Sequence, residues 1–307
     1  MHLRSITPDD RHEIADLIYA SFNTWYRLHG MPQIFKGGPK LTEVFYDVYD
    51  AIDPGCAVVA EHGETRRLMG CCFYHPRKYH MALGIMSVHP NYAGMGVGGA
   101  LLQQIIDLSS AQGYKSLRLT QSALNLDSFS LYNRAGFVPR CAYQDMFIKV
   151  PPEGIGGPVP GAEYIRNANL DDVSAMAALE LDVSGISREE DYRFCIQNKL
   201  GLMHTSIYEN SLGEIDGFLM SSSHPACNML GPGVCRTEDQ AIALIARELD
   251  LNRGRSPVFL VPVEQEKIVR QMYAWGARNC ELHFCQVRGN FQPFNGINMP
   301  TFILETA

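Results

Sequence analysis

Charge is sparse in this chain and long apolar runs are missing from it. Asp, Glu, Lys and Arg make up 19% of the 307 residues, the net charge is -7, and no dense run of Lys and Arg occurs. A chain without a basic stripe has no footing for general nucleic-acid binding. No apolar stretch approaches the ~20 residues that cross a bilayer, and Met1-His2-Leu3-Arg4-Ser5-Ile6 carries no apolar signal core. The expectations are therefore a cytoplasmic protein with neither a membrane nor a nucleic-acid partner. The nine cysteines include no C-x-x-C pair. That excludes the common zinc spacings, so no metal is expected. An odd, scattered set suits free buried thiols in a reducing compartment.

What is present is a folding composition, with 46% hydrophobic residues, enough length for about two domains of ordinary size, and 27 glycines. The glycines concentrate where the chain says most. Met81 to Val88 reads as a strand, His89-Pro90 ends it, and Ala93-Gly94-Met95-Gly96-Val97-Gly98-Gly99 comes next, opening an amphipathic helix over about 97–112. Glycines let main-chain N–H groups crowd together without Cβ obstruction. A helix that begins there adds unpaired donors and the positive end of its dipole. Together these are equipment for holding a phosphate or pyrophosphate.

Gly94-x-Gly96-x-x-Gly99 also fits a dinucleotide fingerprint, which asks for an acidic residue at the end of the next strand to meet a ribose hydroxyl. That strand is Ser116-Leu117-Arg118-Leu119-Thr120, with Gln121 and Ser122 after it, and it has no carboxylate. The turn also comes after strands that read as antiparallel, at 56–61, 68–75 and 81–88, where a dinucleotide unit would open its domain.

A second signature lies downstream, with Asn125, Leu131, Tyr132, Gly136 and Phe137 in the pattern Asn-x-x-Ala-x-x-Leu-Tyr-x-x-x-Gly-Phe, and Ser128 in place of the alanine. With the glycine turn it makes residues 87–137 resemble the GNAT superfamily of acyl-CoA N-acyltransferases. One position departs, since Ala93 stands where the family's loop has Arg or Gln. The resemblance implies a mixed, mostly antiparallel α/β (α+β) sheet flanked by helices. It implies acetyl-CoA as co-substrate, with its pyrophosphate on the main chain of Ala93, Gly94, Met95, Gly96, Val97, Gly98 and Gly99. Main-chain groups of Met86 and Val88 would meet the pantetheine arm, an amide near Ile85 or Met86 would serve the oxyanion, and Asn125 would order the adjoining loop or touch that arm. Tyr132 would be the general acid that protonates the leaving thiolate. The base is not marked: Met81 to Val88 holds no carboxylate. His80 ranks first, with His75, His89 and Glu61 nearby and a water chain as the other route. Cys71 and Cys72 alternate across a strand, so at most one faces the cleft, and core packing accounts for both.

Beyond Val150, Pro151 to Gly161 has the composition of a linker. Then the pattern restarts. Asn169-Leu170-Asp171-Asp172 matches Thr7-Pro8-Asp9-Asp10, and Tyr273-Ala274-Trp275-Gly276-Ala277 parallels the segment from Tyr132 to Phe137. The expectation is an internal duplication, two tandem GNAT folds, with a catalytic domain over 1–150, a linker over 151–161 and a degenerate domain over 162–307. In the second, Gly231-Pro232-Gly233-Val234-Cys235-Arg236-Thr237-Glu238 stands where the glycine turn should be. Pro232 removes a donor and Glu238 brings a negative charge to the helix start. That domain would wall the acceptor site or mediate association, with a homodimer left open. The whole reads as an N-acetyltransferase passing an acetyl group to a primary amine, small molecule or peptide, by direct attack in a ternary complex. The alternative is a non-catalytic acyl-CoA-binding or regulatory protein.

Overall fold

The computed structural model describes residues 1–304. Elements along the chain are β1 (His2–Ser5), α1 (Arg11–Leu28), α2 (Glu43–Ile52), β2 (Ala57–Glu61), β3 (Leu68–Pro76), β4 (Met81–Val88), α3 (Val97–Ala111), β5 (Ser116–Ser122), α4 (Leu126–Arg134) and β6 (Val138–Phe147). The second half adds β7 (Ile165–Asn167), α5 (Val173–Ser184), α6 (Glu189–Gln197), β8 (Met203–Glu209), β9 (Ile215–His224), β10 (Cys227–Cys235), α7 (Glu238–Asp250), β11 (Val258–Pro262), α8 (Glu266–Ala274), β12 (Arg278–Gly289) and β13 (Ile297–Met299). Both halves are mixed α/β with mostly antiparallel sheets, as expected. No helix among the described residues is long and apolar enough to cross a membrane.

Two compact units form. The first comprises residues 1–76 and 80–117, the second 77–79 and the chain from Arg118 onward. In the first, β1, β2, β3 and β4 pair in order, all antiparallel. The helix α1 buries Ile14, Leu17 and Ile18, the apolar face that its spacing predicts. On β3, a Cβ at Gly70 would stand 3.0 Å from Val97 and 3.1 Å from Leu101, so the bare strand surface lets α3 lie close.

In the second unit β12, β6, β11, β10, β9, β8 and β7 neighbour one another in that order, and β13 pairs β10 at Gly233–Cys235, on the edge opposite β9. The β10–β11 pair is parallel and the other pairs in this order are antiparallel. The last strand of the first sequence repeat, β6, pairs with β11 and β12 of the second. That exchange carries the chain from 118 onward into the second compact unit. The Pro- and Gly-rich 151–161 segment has no helix or strand, yet Ile155 and Val159 pack against the apolar cluster beneath α7 and α8.

The duplication extends to individual ion pairs. Arg4 meets Asp10 at 2.7 Å and Glu61 at 3.1 Å, and Arg166 meets Asp172 at 2.8 Å and Glu209 at 2.6 Å. Asp10 and Asp172 each close a capping box, with Thr7 and Asn169 as the N-caps. Burial opposes ionisation of both carboxyls, but the arginine and the cap amide win and hold them below the usual aspartate range.

Two expectations change. The strands β12 and β13 are additions that the sequence pattern does not predict. The residues Gly231-Pro232-Gly233 are not a degenerate glycine turn: they lie inside β10, and only Arg236 and Thr237 separate that strand from α7.

Candidate active site

The strand β4 is not regular. Its register against β3 runs Cys72 to Met86 and then Tyr74 to Leu83, so one residue of β3, Phe73, opposes two of β4. Gly84 and Ile85 form the bulge. A bulge leaves main-chain groups outside the ladder and re-aims side chains, which is why such features sit beside active sites. The amide expected to serve the oxyanion, near Ile85 or Met86, falls at this irregularity.

After β4, His89 caps a short 3-10 turn over Pro90–Tyr92 by accepting from the Asn91 amide at 3.2 Å. The chain then turns through Gly94 at φ 76° and Gly96 at φ 80°, both left-handed positions that glycine occupies without strain. Space around both is open: a Cβ at either would meet nothing within 4 Å. Residues 93–96 are exposed. Ala93 and Met95 turn their amides back onto Pro90 and Tyr92, both at 3.3 Å. Val97, Gly98 and Gly99 are the first three residues of α3, whose amides have no partner four residues back. No acidic residue occupies that first turn. The arrangement suits a multiply charged anion, held by peptide groups and a helix dipole.

The imidazoles occupy different places. His80 is fully buried and directly precedes β4. Five residues of strand separate it from Ile85, about 16 Å of travel. His75 comes to the bulge instead. Its Nδ1 lies 2.7 Å from Asp53 Oδ2, and since a carboxylate only accepts, Nδ1 is the donor and Nε2 carries the lone pair. The Nε2 atom is buried without a hydrogen-bond partner, and a Cβ on Gly84 would stand 2.6 Å from it. Tyr49 holds the other side of the ring, centroids 4.8 Å apart. Glycine at 84 is thus what lets the imidazole reach the bulge. Sequence reading has no means to rank His75 first, because an extra residue in one strand cannot be seen from composition or alternation.

The remaining candidates have definite places. Glu61 is engaged by Arg4 and Arg66. Cys71 and Cys72 are both wholly buried, in keeping with core packing on the two faces of the strand. Burial pushes the Cys71 thiol up to about 12 and Cys72 further in the same direction, which leaves neither a useful nucleophile. Asn125 is the N-cap of α4, its Oδ1 accepting from the Ser128 amide at 3.0 Å. Tyr132 sits on α4, 7% exposed, its ring edge-on to Phe137 at 5.8 Å.

In the second repeat the same bulge recurs, between Leu230 and Gly233 of β10, at Gly231 and Pro232. The turn onto α7 is two residues, and α7 opens with Glu238 and Asp239. Glu238 accepts from the Ile268 amide of α8 at 3.0 Å. Matching helix ends place Met272, not Tyr273, where α4 has Tyr132, since Ala277 N–H returns to Met272 as Phe137 N–H returns to Tyr132.

Known proteins bear on this directly. Residues 22–137 match the model of the acetyltransferase (GNAT) family. A Pyrococcus horikoshii protein proposed to be an acetyltransferase superposes with TM-score 0.76 at 14% identity, covering 100% of this chain and 95% of its own. A GCN5-related N-acetyltransferase from Sphaerobacter thermophilus gives 0.61 at 18%, covering 96% and 97%. A tandem GNAT protein from the clavulanic acid biosynthesis pathway gives 0.61 at 14%, covering 94% and 98%. A search of the curated proteins finds no match. At these identities the solved structures speak for the fold and the family model for the sequence: the chain has a tandem GNAT fold, and its residues 22–137 match the GNAT acetyltransferase family.

Proposed function

We propose that this protein is an N-acetyltransferase that moves an acetyl group from acetyl-CoA to a primary amine, with the first repeat as its working half. The observation that carries the proposal is the open glycine turn with a donor-rich, acid-free helix start, placed directly after a bulged strand. The amides of residues 94–99 hold the diphosphate, and Met86 and Val88 hold the pantetheine arm. His75, oriented by Asp53, takes the proton from the attacking amine, in preference to His80. The amine nitrogen attacks the thioester carbonyl, the Ile85 or Met86 amide steadies the oxygen as charge builds on it, and the C–S bond breaks. Tyr132 gives the thiolate its proton, a role that rests on the family signature it completes. High thiol pKa values at Cys71 and Cys72 favour direct attack in a ternary complex over an acyl-cysteine. The acidic pI near 5.8 suits a cationic acceptor and a soluble cytoplasmic setting. The second repeat, 162–307, binds no coenzyme.

Acetyl-CoA consumption over a panel of small amines, amino acids and peptide amino termini tests this. Turnover on at least one acceptor is expected. Saturable acetyl-CoA binding with no turnover on any of them would instead make the chain a non-catalytic acyl-CoA-binding protein.

A further inference from the structure

One cluster of chemistry-bearing side chains has no part in acyl transfer. Asp145 lies on β6, and Glu281 and His283 lie on β12, all within the second compact unit. Asp145 and Glu281 are direct partners in the antiparallel ladder, so their side chains share one face of the sheet. His283 comes two residues after Glu281, which returns it to that face. One donor atom from each of the three lies within 4.8 Å of the other two. His283 Nδ1 is 3.5 Å from Asp145 Oδ2.

Two of the cluster's three side chains carry a buried polar atom that is unsatisfied. Asp145 and His283 are 4% and 5% exposed. Asp145 Oδ1 and His283 Nδ1 are buried and meet no hydrogen-bond partner. Directly opposed carboxylates repel, and no arginine or lysine among the described residues pairs with Asp145, whose one ionic neighbour is His283. An imidazole nitrogen and two carboxyl groups gathered on one sheet face make a donor set of the kind that holds a transition-metal ion.

We propose that Asp145, Glu281 and His283 form a binding site for a divalent transition-metal ion, Zn2+ before others, that ties β6 to β12. Imidazole nitrogen with two carboxylate oxygens suits zinc better than calcium or magnesium, which prefer shells of oxygen alone. Ligands around tetrahedral zinc lie about 3.4 Å apart, so side-chain rotation of roughly an ångström closes the set. Ser122 Oγ donates to the Glu281 carboxylate, the kind of outer support that fixes a ligand's orientation. A search for C-x-x-C pairs misses such a site, because its ligands come from two strands far apart in sequence.

The test uses the full chain, stripped with EDTA and titrated with Zn2+ against a chromophoric chelator. One tight equivalent is expected, with a rise in Tm. Asp145→Asn, which keeps the side chain's shape, and His283→Gln should each weaken binding about a hundredfold while leaving the metal-free circular dichroism unchanged. Co2+ loading should show no thiolate charge-transfer band, which separates this site from the nine cysteines. Absence of tight binding in the wild-type chain, retention of it in Asp145→Asn, or sulfur ligation in the Co2+ spectrum overturns the proposal. Should His283→Gln fail to fold, Asp145→Asn decides alone. None of these readouts depends on acyl transfer.

Discussion

The two sequence repeats share a scaffold and differ at each point where acyl transfer needs a donor or an acid. Both hold an arginine between a capping aspartate and a strand glutamate. Both place a glycine, Gly70 or Gly217, where a helix lies close on the sheet. Both bulge the fourth strand at a glycine. At the next residue the first repeat has Ile85, with an N–H, and the second has Pro232, with none. Eight residues, 89–96, join β4 to α3, but only Arg236 and Thr237 join β10 to α7. An acid-free helix start faces one that begins Glu238-Asp239, and Tyr132 faces Met272. The bulge therefore belongs to the architecture of the sheet, and what differs between the repeats is the residues that fill it and the length and charge of the turn beyond it.

Substitutions that make the first repeat resemble the second should break the activity in a definite order. The largest loss is expected at the base. His75→Gln should lower kcat by about 10²–10⁴-fold, whereas the same change at His80 should leave kcat nearly unchanged. Asp53→Asn should have a smaller effect of the same kind, since it disturbs only the tautomer. Ile85→Pro, which copies Pro232, should cost about 10²–10³-fold in kcat with little change in acetyl-CoA affinity; Pro232→Ile should change neither. Tyr132→Phe should lower turnover about 10–100-fold at unchanged KM for acetyl-CoA. Unchanged turnover in steady-state kinetics would remove Tyr132 from the mechanism.

The smallest effect concerns what the repeats share. Asp10 and Asp172 are held below the ordinary aspartate value of 3.8. Their contribution to stability is complete above that value and is lost as pH falls through the lowered one. Asp10→Asn and Asp172→Asn should each lower Tm at neutral pH by about 2–4 °C, with the difference from wild type shrinking in strong acid. Both pairs are partly solvent-exposed, which limits their worth. Unequal losses in thermal melts would show that the two networks are alike in geometry only.

Much of the site was legible in the sequence. The bounds of β4 and the start of α3 at Val97 come from the alternation, the proline and the glycines. The tandem repeat shows in Asn169 to Asp172 against Thr7 to Asp10. The histidine at the bulge did not show, because its place depends on a register slip that alternation cannot reveal. β12 escaped for a related reason. One face carries His283 beside buried Cys285 and Val287, while the other carries buried Gln286 and Leu282 at 45% exposure, so polar residues are buried on both faces and the strand hides its hydrophobic pattern. Gly231-Pro232-Gly233 misled because glycine serves a bulge and an anion turn equally well.

The central claim is that the main chain of residues 94–99, and nothing in the second repeat, grips the coenzyme's diphosphate. Calorimetry with CoA on the wild-type chain and on Gly98→Glu tests it most directly, since that substitution gives α3 the acidic first turn that α7 already has. One site per chain is predicted, weakened about a hundredfold by the new charge. Two sites per chain, or undiminished affinity in Gly98→Glu, would contradict it.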